Sequence, residues 1–252
     1  MKHRFLKSTL WGLAIVGVTT AAQAFPLLPV QNLTFDVYSG AAPKNYFSTV
    51  NPAGWYRGAP AGQQDLVFID APGTATVYGG GPNSYPVYGP FPNPPSGGNF
   101  VQADGNPDFF STFNQDISGL TIGQTYTLTF WQAAGQQQGF TGATTEQWRV
   151  FFGENTGANF LLNQEFDSTV MNTPSQGVSD WNLVSFDMTA TATTETLTFL
   201  AWGDGGSTVN LPPTVFLAGV NTPAPEPATL SLVGAGLGGL WLRRRAKRKA
   251  TA

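Results

Sequence analysis

An alternation of apolar and polar residues with a period of two runs through most of this chain and restricts it to a β fold. In the segment 124–132, Tyr126, Leu128 and Phe130 fall on one face, and three threonines with Trp131 fall on the other. Successive side chains of a strand point to opposite faces of a sheet, so this pattern predicts a strand with one buried face. The alternation recurs in 147–152, 182–188 and 196–202.

Weaker strand patterns fill much of the remaining chain and are bounded by turn residues. They are 33–37, 66–69, 74–78, 100–103, 113–117 and 215–220. Ten such segments, with thirty glycines and nineteen prolines along the chain, predict an all-β fold of two packed antiparallel sheets. We expect little helix outside the two chain ends.

The segment 79–98 interrupts the pattern, because it holds six glycines and six prolines in 20 residues. Loops of this length are usually functional or disordered. Two interpretations remain open. The segment is either an insertion without fixed structure, or a lid or binding loop that carries Tyr85, Tyr88 and Phe91.

The N-terminus has the pattern of a secretory signal peptide. Lys2, Arg4 and Lys7 precede an apolar stretch at 10–18, and the small-x-small sequence formed by Ala22 and Ala24 follows. We expect cleavage after Ala24. The alternatives are a buried helix or a membrane anchor, but the apolar stretch is too short to span a bilayer.

The C-terminus carries a short motif, an apolar run and a basic end. The motif is Pro225-Glu226-Pro227, the apolar run is 228–242, and the basic end 243–249 begins with Arg243, Arg244 and Arg245. As a helix the 15-residue run reaches about 22 Å, against a hydrocarbon core of about 30 Å. We expect marginal insertion with the basic end on the cytoplasmic side and the body outside. An ordinary single-pass anchor is the alternative.

These three features in this order resemble the PEP-CTERM proteins of Gram-negative bacteria. The resemblance covers about a tenth of the chain, at its extreme end. It implies recognition and cleavage by an exosortase, transient insertion in the inner membrane through 228–242, and release or attachment at the cell surface. Such proteins go with bacteria that make extracellular polysaccharide.

Composition excludes several functional classes for the body, residues 25–224. Three basic and fourteen acidic residues give it a charge of −11, which disfavours nucleic acid and anionic lipid and favours uncharged polymers and cations as partners. The body has neither Cys nor His, since the one histidine is His3. That excludes cysteine nucleophiles, Ser-His-Asp triads and His/Cys metal sites, and it leaves carboxylate-pair glycosidases and oxygen-ligand metal sites.

The body also resembles exported bacterial modules with a galactose-binding-like jelly roll, among them carbohydrate-binding modules. The matching segments are 51–55 (NPAGW), 97–101 (GGNFV), 103–105 (ADG), 115–120 (QDISGL), 123–130 (GQTYTLTF) and 145–148 (TEQW). The resemblance implies a jelly-roll sandwich and a glycan ligand. In those modules the last strand often carries an Asp beside a structural calcium, and this chain has Ala218 there.

Four aromatic residues are candidates for a glycan-binding site: Trp55, Tyr56, Trp131 and Trp202. Sugar rings stack on aromatic faces because their C–H bonds meet the negative π-face. Core packing is the alternative for each, since tryptophan is usually highly buried. Under the glycan hypothesis, Trp131→Ala should weaken polysaccharide retention without unfolding the domain.

The residues Asp104, Asn106 and Asp108 begin a Ca²⁺-loop pattern, with oxygen ligands at alternate positions. The pattern then departs from an EF-hand, because Phe109 and Gln115 stand where Gly and Glu are needed. The choice is between a looser calcium site and an Asx-rich turn without a cofactor. Acidic pairs at 65/70 and 165/167 are the candidates for glycoside hydrolysis.

Together these patterns predict a non-catalytic surface or matrix protein that associates with exopolysaccharide. Two other classes stay open. One is an extracellular glycoside hydrolase that uses two carboxylates, and the other is a structural or adhesive protein without a small ligand.

Overall fold

The computed structural model describes residues 24–39, 50–58, 65–78, 84–154, 157–204 and 211–222. Most of the predicted targeting residues lie outside these ranges, and Ala24 is the first described residue. The residues outside are Ala22, Pro225, Glu226, Pro227, Arg243, Arg244 and Arg245, with the apolar run 228–242 between them. Within the described ranges, we find no helix with the length and apolar character that crossing a bilayer requires.

Eleven strands and one 3₁₀ helix make up the described part of the chain. The strands are β1 (Tyr56–Arg57), β2 (Val67–Asp70), β3 (Phe100–Asp104), β4 (Thr112–Ser118), β5 (Thr125–Gln136), β6 (Thr144–Gly153), β7 (Gln164–Asp167), β8 (Met171–Thr173), β9 (Asn182–Thr189), β10 (Thr194–Asp204) and β11 (Pro213–Ala218). The 3₁₀ helix spans Gly157–Leu162, between β6 and β7.

The strands form two sheets in which every neighbouring pair is antiparallel. Sheet I has the order β2-β3-β11-β5-β9. Sheet II has the order β1-β4-β10-β6-β7. The short β8 lies on the same edge of β6 as β7, but it pairs with the N-terminal end of β6. The predicted all-β fold of two antiparallel sheets is therefore confirmed.

The core lies between the sheets and is built by the residues whose alternation predicted the strands. Tyr126, Leu128 and Phe130 of β5 are buried there, as expected. Phe199 of β10 meets Phe130 edge to face, with ring centroids 5.1 Å apart. The Trp148 indole is fully buried and donates a 3.0 Å hydrogen bond to the Phe216 carbonyl, which joins sheet II to sheet I.

Two of the weaker strand predictions are wrong. Residues 33–37 contain a turn, with Phe35 at a φ of 56° and its ring buried in the core. Residues 74–78 form a further turn, in which the Val77 amide donates to the Thr74 carbonyl. The strands that sequence reasoning missed, β1, β7 and β8, have only two to four residues, too short for an alternation to be recognised.

The Gly/Pro-rich segment is folded against the protein over residues 84–98, which we call the strap. The strap crosses the outer face of sheet I, where Phe91 lies 4.3 Å from Phe216 between ring centroids. The Trp181 indole donates a 2.8 Å hydrogen bond to the Pro92 carbonyl. For the described part of the segment, an insertion without fixed structure is thus the wrong interpretation; residues 79–83 lie outside the described ranges.

Candidate functional site

Trp55 belongs to the core, which corrects the expectation that it faces a ligand. It is 3 % exposed and stacks in parallel on Phe113, with centroids 4.9 Å apart. Its indole N–H donates a 3.0 Å hydrogen bond to the Gln31 carbonyl. Both the ring and its polar atom are therefore occupied by the protein itself.

Trp131 lies on the outer face of sheet I, as its alternation predicted. It is half-buried beside the strap, against a cluster that includes Phe100, Trp181 and Phe216. Its indole nitrogen is buried without a hydrogen-bond partner. Because Trp202 belongs to sheet II, these two tryptophans cannot stack on the same sugar ring.

Tyr56 and Trp202 share the outer face of sheet II. Tyr56 pairs across β4 with Thr198, and Trp202 follows Thr198 by four residues along β10. Strand spacing and rise then separate the two by roughly 16 Å. The Tyr56 hydroxyl donates a 2.9 Å hydrogen bond to Asp116, at the far side of the sheet from Trp202.

Arg149 fixes the surroundings of Trp202. Its guanidinium carbon lies 4.7 Å from the centroid of the half-buried Trp202 ring and 5.5 Å from that of Phe151, within cation–π range. Its Nε donates a 2.6 Å hydrogen bond to Glu165, and Asp167 lies 3.8 Å away. The guanidinium charge is thus balanced by two carboxylates on β7.

The 3₁₀ helix covers the next part of the same face. Its Phe160 packs edge to face on Phe151, with centroids 5.1 Å apart, and both join Leu200 in a small buried cluster. Trp202 packs at the margin of this cluster. Trp202 also lines a pocket at the end of this face.

Two pockets at this end of sheet II share Thr145 and Asp204. We call them together the Asp204 groove. One has a volume of about 430 Å³ and is also lined by Ala143, Thr144, Asn172, Thr173 and Pro174. The other has a volume of about 210 Å³ and is also lined by Glu146, Gln147, Val170, Trp202 and Gly203. The larger pocket is within the size range of small-ligand sites, about 300–1,000 Å³.

Gly203 allows the strands to meet closely at this groove. A Cβ there would lie 2.6 Å from Cβ of Pro213, and closer still to the carbonyl oxygen of Thr145. No larger residue fits without moving one of these segments. The glycine therefore sets the positions of its two neighbours, Trp202 and Asp204, in the groove wall.

Glu146 borders the smaller pocket along β6, but its side chain is fully buried on the core side of sheet II, the side to which Trp148 points. One carboxylate oxygen, Oε2, accepts a 2.7 Å hydrogen bond from the Thr173 hydroxyl, and the other, Oε1, has no partner. Burial raises the pKa of Glu146 to about 7, while hydrogen bonds from threonine hydroxyls oppose the increase. Near neutral pH its protonation therefore responds to nearby charge.

The Asp104, Asn106 and Asp108 stretch forms two successive Asx turns. The Asn106 amide donates to Asp104 at 2.9 Å, and the Asp108 amide donates to the Asn106 side chain at 3.0 Å. Burial raises the pKa of Asp104 to about 6. The turn interpretation accounts for these contacts. Nowhere in the described ranges do three or more His, Cys, Asp or Glu side chains form a group suited to a metal ion.

The acidic pairs proposed from sequence are occupied within the protein. Asp70 is fully buried, and burial raises its pKa well above the ordinary value. Glu165 and Asp167 both face Arg149. Sequence reasoning missed Glu146 and Asp204, and the one signal for Asp204 is its place directly after the Trp202-Gly203 pair at a strand end.

No protein-family model matches this chain, and no curated protein does. Solved structures give distant likenesses. A cleaved adhesin domain of Lys-gingipain from Porphyromonas gingivalis has 15% identity over 74% of this chain and 93% of that one, with a TM-score of 0.39. A carbohydrate-binding module described as specific for non-crystalline cellulose has 12% identity over 72% and 95%, with a TM-score of 0.37.

The enzymatically active domain of tailspike protein 4 from bacteriophage CBA120 is a third likeness. It has 11% identity over 73% of this chain and a TM-score of 0.35. This chain covers only 21% of the tailspike domain. All three TM-scores lie below 0.5.

Proposed function

We propose that this β-sandwich binds polysaccharide and catalyses no reaction. The observation that carries the proposal is the placement of Trp202 in the wall of the Asp204 groove. Its ring supplies an apolar surface, and Thr145, Gln147 and Asp204 supply hydrogen-bonding groups around it. An aromatic face beside polar side chains is the combination that a sugar ring needs, with C–H bonds on its faces and hydroxyls on its rim.

A glycoside hydrolase is the second candidate, because Glu146 and Asp204 line the same pocket. Hydrolysis requires two carboxyl groups that reach opposite sides of the glycosidic bond. Glu146 is fully buried, which keeps it from donating a proton to a sugar oxygen. The arrangement therefore favours binding over hydrolysis.

We further infer a jelly-roll connectivity and an exported location. In a jelly roll, strands that follow one another in sequence alternate between the two sheets. The strand orders β3-β11-β5-β9 of sheet I and β4-β10-β6 of sheet II, with β7 and β8 at its edge, agree with this alternation. The signal segment 1–24 and the sorting segment 225–249 support export and exosortase processing at a polysaccharide-bearing surface. The Asp204 groove would then face the matrix outside the cell.

Retention of the full chain on immobilised polysaccharides tests the binding proposal. We expect Trp202→Ala to weaken retention about fivefold, because a stacked aromatic contact contributes about 1 kcal/mol. Trp131→Ala is the matched change on sheet I. Loss of retention with Trp131→Ala alone would move the site to the other sheet, and retention unaffected by either folded variant would refute an aromatic glycan site.

A further inference from the structure

Part of the strap, residues 90–95, lies over an aromatic cluster on the outer face of sheet I. We call the rings of Phe100, Trp181 and Phe216 the sheet I cluster; their centroids lie 5.8 to 6.4 Å from one another. The Phe91 ring of the strap lies 4.3 Å from Phe216 and 5.8 Å from Trp181 between centroids. A segment of the same chain therefore covers an apolar surface that would otherwise contact water.

The two halves of the strap are held in different ways. In the first half, the amides of Val87 and Tyr88 donate 2.9 Å hydrogen bonds to the carbonyls of Ala75 and Gln136. The second half, 90–95, has the sequence PFPNPP, so four of its six residues have no backbone N–H. Such a segment cannot form the regular hydrogen-bond ladder of a sheet, and it is held here through its rings and its carbonyl groups.

The contacts of 90–95 are those by which aromatic surfaces bind proline-rich peptides. Each proline fixes its own φ, and the residue before a proline is restricted to extended conformations, so the segment loses little entropy when it binds. The Trp181 indole N–H donates a 2.8 Å hydrogen bond to the Pro92 carbonyl. An aromatic groove that packs proline rings is a recurring mode of peptide recognition.

Trp131 supplies a second donor, which the strap leaves unused. Its ring packs against the sheet I cluster, and its indole nitrogen is buried without a hydrogen-bond partner. A buried donor without a partner costs free energy, which an acceptor from a ligand can recover. A separate peptide with a carbonyl at Trp131 would therefore make one contact that the protein's own segment does not make.

The surroundings of the cluster favour a proline-rich peptide over a glycan. A sugar ring presents hydroxyls around its rim and needs several polar side chains beside the aromatic ring. The buried neighbours of the rings include the small apolar Ala133 and Ala218. The amide of Gln102 donates a 2.7 Å hydrogen bond to the Tyr85 carbonyl and so already serves the strap. Proline rings, with carbonyls as their polar groups, match this surface better.

We propose that the sheet I cluster is a binding site for proline-rich segments of a partner protein, and that residues 90–95 occupy it until the partner displaces them. The partner's prolines pack on the rings, and its carbonyls accept hydrogen bonds from Trp181 and Trp131. The site lies on the sheet opposite to the Asp204 groove, so the proposal does not depend on glycan binding.

Fluorescence anisotropy of labelled peptides titrated with the full chain tests this proposal. The probe is the peptide of residues 89–96, GPFPNPPS, and the control peptide has alanine in place of every proline. We expect weak binding of the probe to the unaltered chain, because its own segment competes for the site. Phe91→Ala loosens that segment and should tighten binding of the probe about tenfold. A chain with alternating glycine and serine at 90–95 should bind it at least as tightly.

Two matched tryptophan substitutions locate the binding site. Both are made in the chain with glycine and serine at 90–95, so that they act on the added peptide alone; Phe91→Ala is the background if that chain does not fold. Trp181→Phe keeps a ring and removes the N–H, and it should weaken binding of the probe about fivefold. Trp202→Phe is the same change on sheet II and should leave binding unchanged.

Three results would overturn the proposal. The first is that no folded variant with a loosened or replaced segment binds the probe more tightly than the unaltered chain. The second is equal binding of the probe and the alanine peptide, or equal losses from Trp181→Phe and Trp202→Phe, since either would indicate unspecific adhesion. The third is binding of a cello-oligosaccharide, and not of the probe, by the uncovered chain, which would identify a covered glycan site.

Discussion

Replacing Glu146 by glutamine should stabilise this protein at high pH and not at low pH. The carboxyl has a pKa of about 7 in the folded protein because it is buried, against 4.5 for an ordinary glutamate. A difference of about 2.5 units corresponds to about 3 kcal/mol at 1.36 kcal/mol per unit. Above about pH 7 the unfolded chain keeps its carboxylate in water, whereas the folded chain must bury it.

The sign follows from where the proton is held more tightly. Because the folded-state pKa is raised, the folded protein binds the proton more strongly than the unfolded chain between about pH 4.5 and 7. Glu146 therefore favours folding fully below about pH 4.5, and this contribution is lost as the pH rises through 7. Glutamine has nearly the same shape and does not titrate, so Glu146→Gln removes this loss.

Urea unfolding of both proteins at a series of pH values between about 4 and 8 measures the effect. The difference in unfolding free energy should be within about 1 kcal/mol at the acid end and grow to about 3 kcal/mol in favour of Glu146→Gln at the alkaline end. Burial also raises the pKa values of Asp70 and Asp104. Both proteins contain these two residues, so their contributions cancel in the difference. Thr173→Val removes a hydroxyl that favours the ionised carboxyl and should shift the window to higher pH. A difference that stays constant with pH would refute the reasoning.

Three further substitutions test the packing around the site and the strap. Phe91→Ala should lower the unfolding free energy by about 2 kcal/mol, since the half-buried ring packs on Phe216. Limited proteolysis of this variant should cut within 84–98, and a strap that stays uncut would contradict the prediction. Gly203→Ala should cost about 2 kcal/mol or more and weaken glycan retention, because its Cβ has no room beside Pro213; an unchanged melting temperature would show that the strands can separate there. Arg149→Gln should lower the unfolding free energy by about 1 kcal/mol, as measured by thermal unfolding. This loss should be smaller at high salt, because salt screens partly exposed ion pairs. A loss that does not depend on salt would identify packing as the cause.

The sequence predicted the fold best where apolar residues alternate over a long strand. Tyr126, Leu128 and Phe130 define the inner face of β5 without ambiguity, because only one register buries all three. The apolar pattern around Phe35 predicts a strand, but a turn buries this residue by placing its ring edge to face against Trp55. Local patterns do not record burial of that kind.

The Asp204 groove depends on contacts between residues far apart in sequence. Glu146 continues the alternation of Trp148 and Val150 on the core side of β6, and it is buried there, where the Thr173 hydroxyl from β8 donates to its carboxylate. The position of Asp204 opposite Thr145 follows from the β6–β10 register. Trp55 is held in the core by stacking on Phe113, which lies on β4 and is distant in sequence. Alternation alone shows on which face of a strand a side chain lies. It does not show whether that face packs in the core or lines a groove.

The lengths of the edge strands determine where two copies of this protein would first join. At three of the four sheet edges the strands are short: β1 has two residues, β2 has four, and the edge beside β6 is divided between β7 and β8. Short or divided edges are poor templates for adding a strand from another molecule. Within the described ranges, β9 is the one long edge, with eight residues, and it carries the acidic Asp187. If this domain is crowded on a surface, self-association should proceed through β9, and the charge at 187 opposes it.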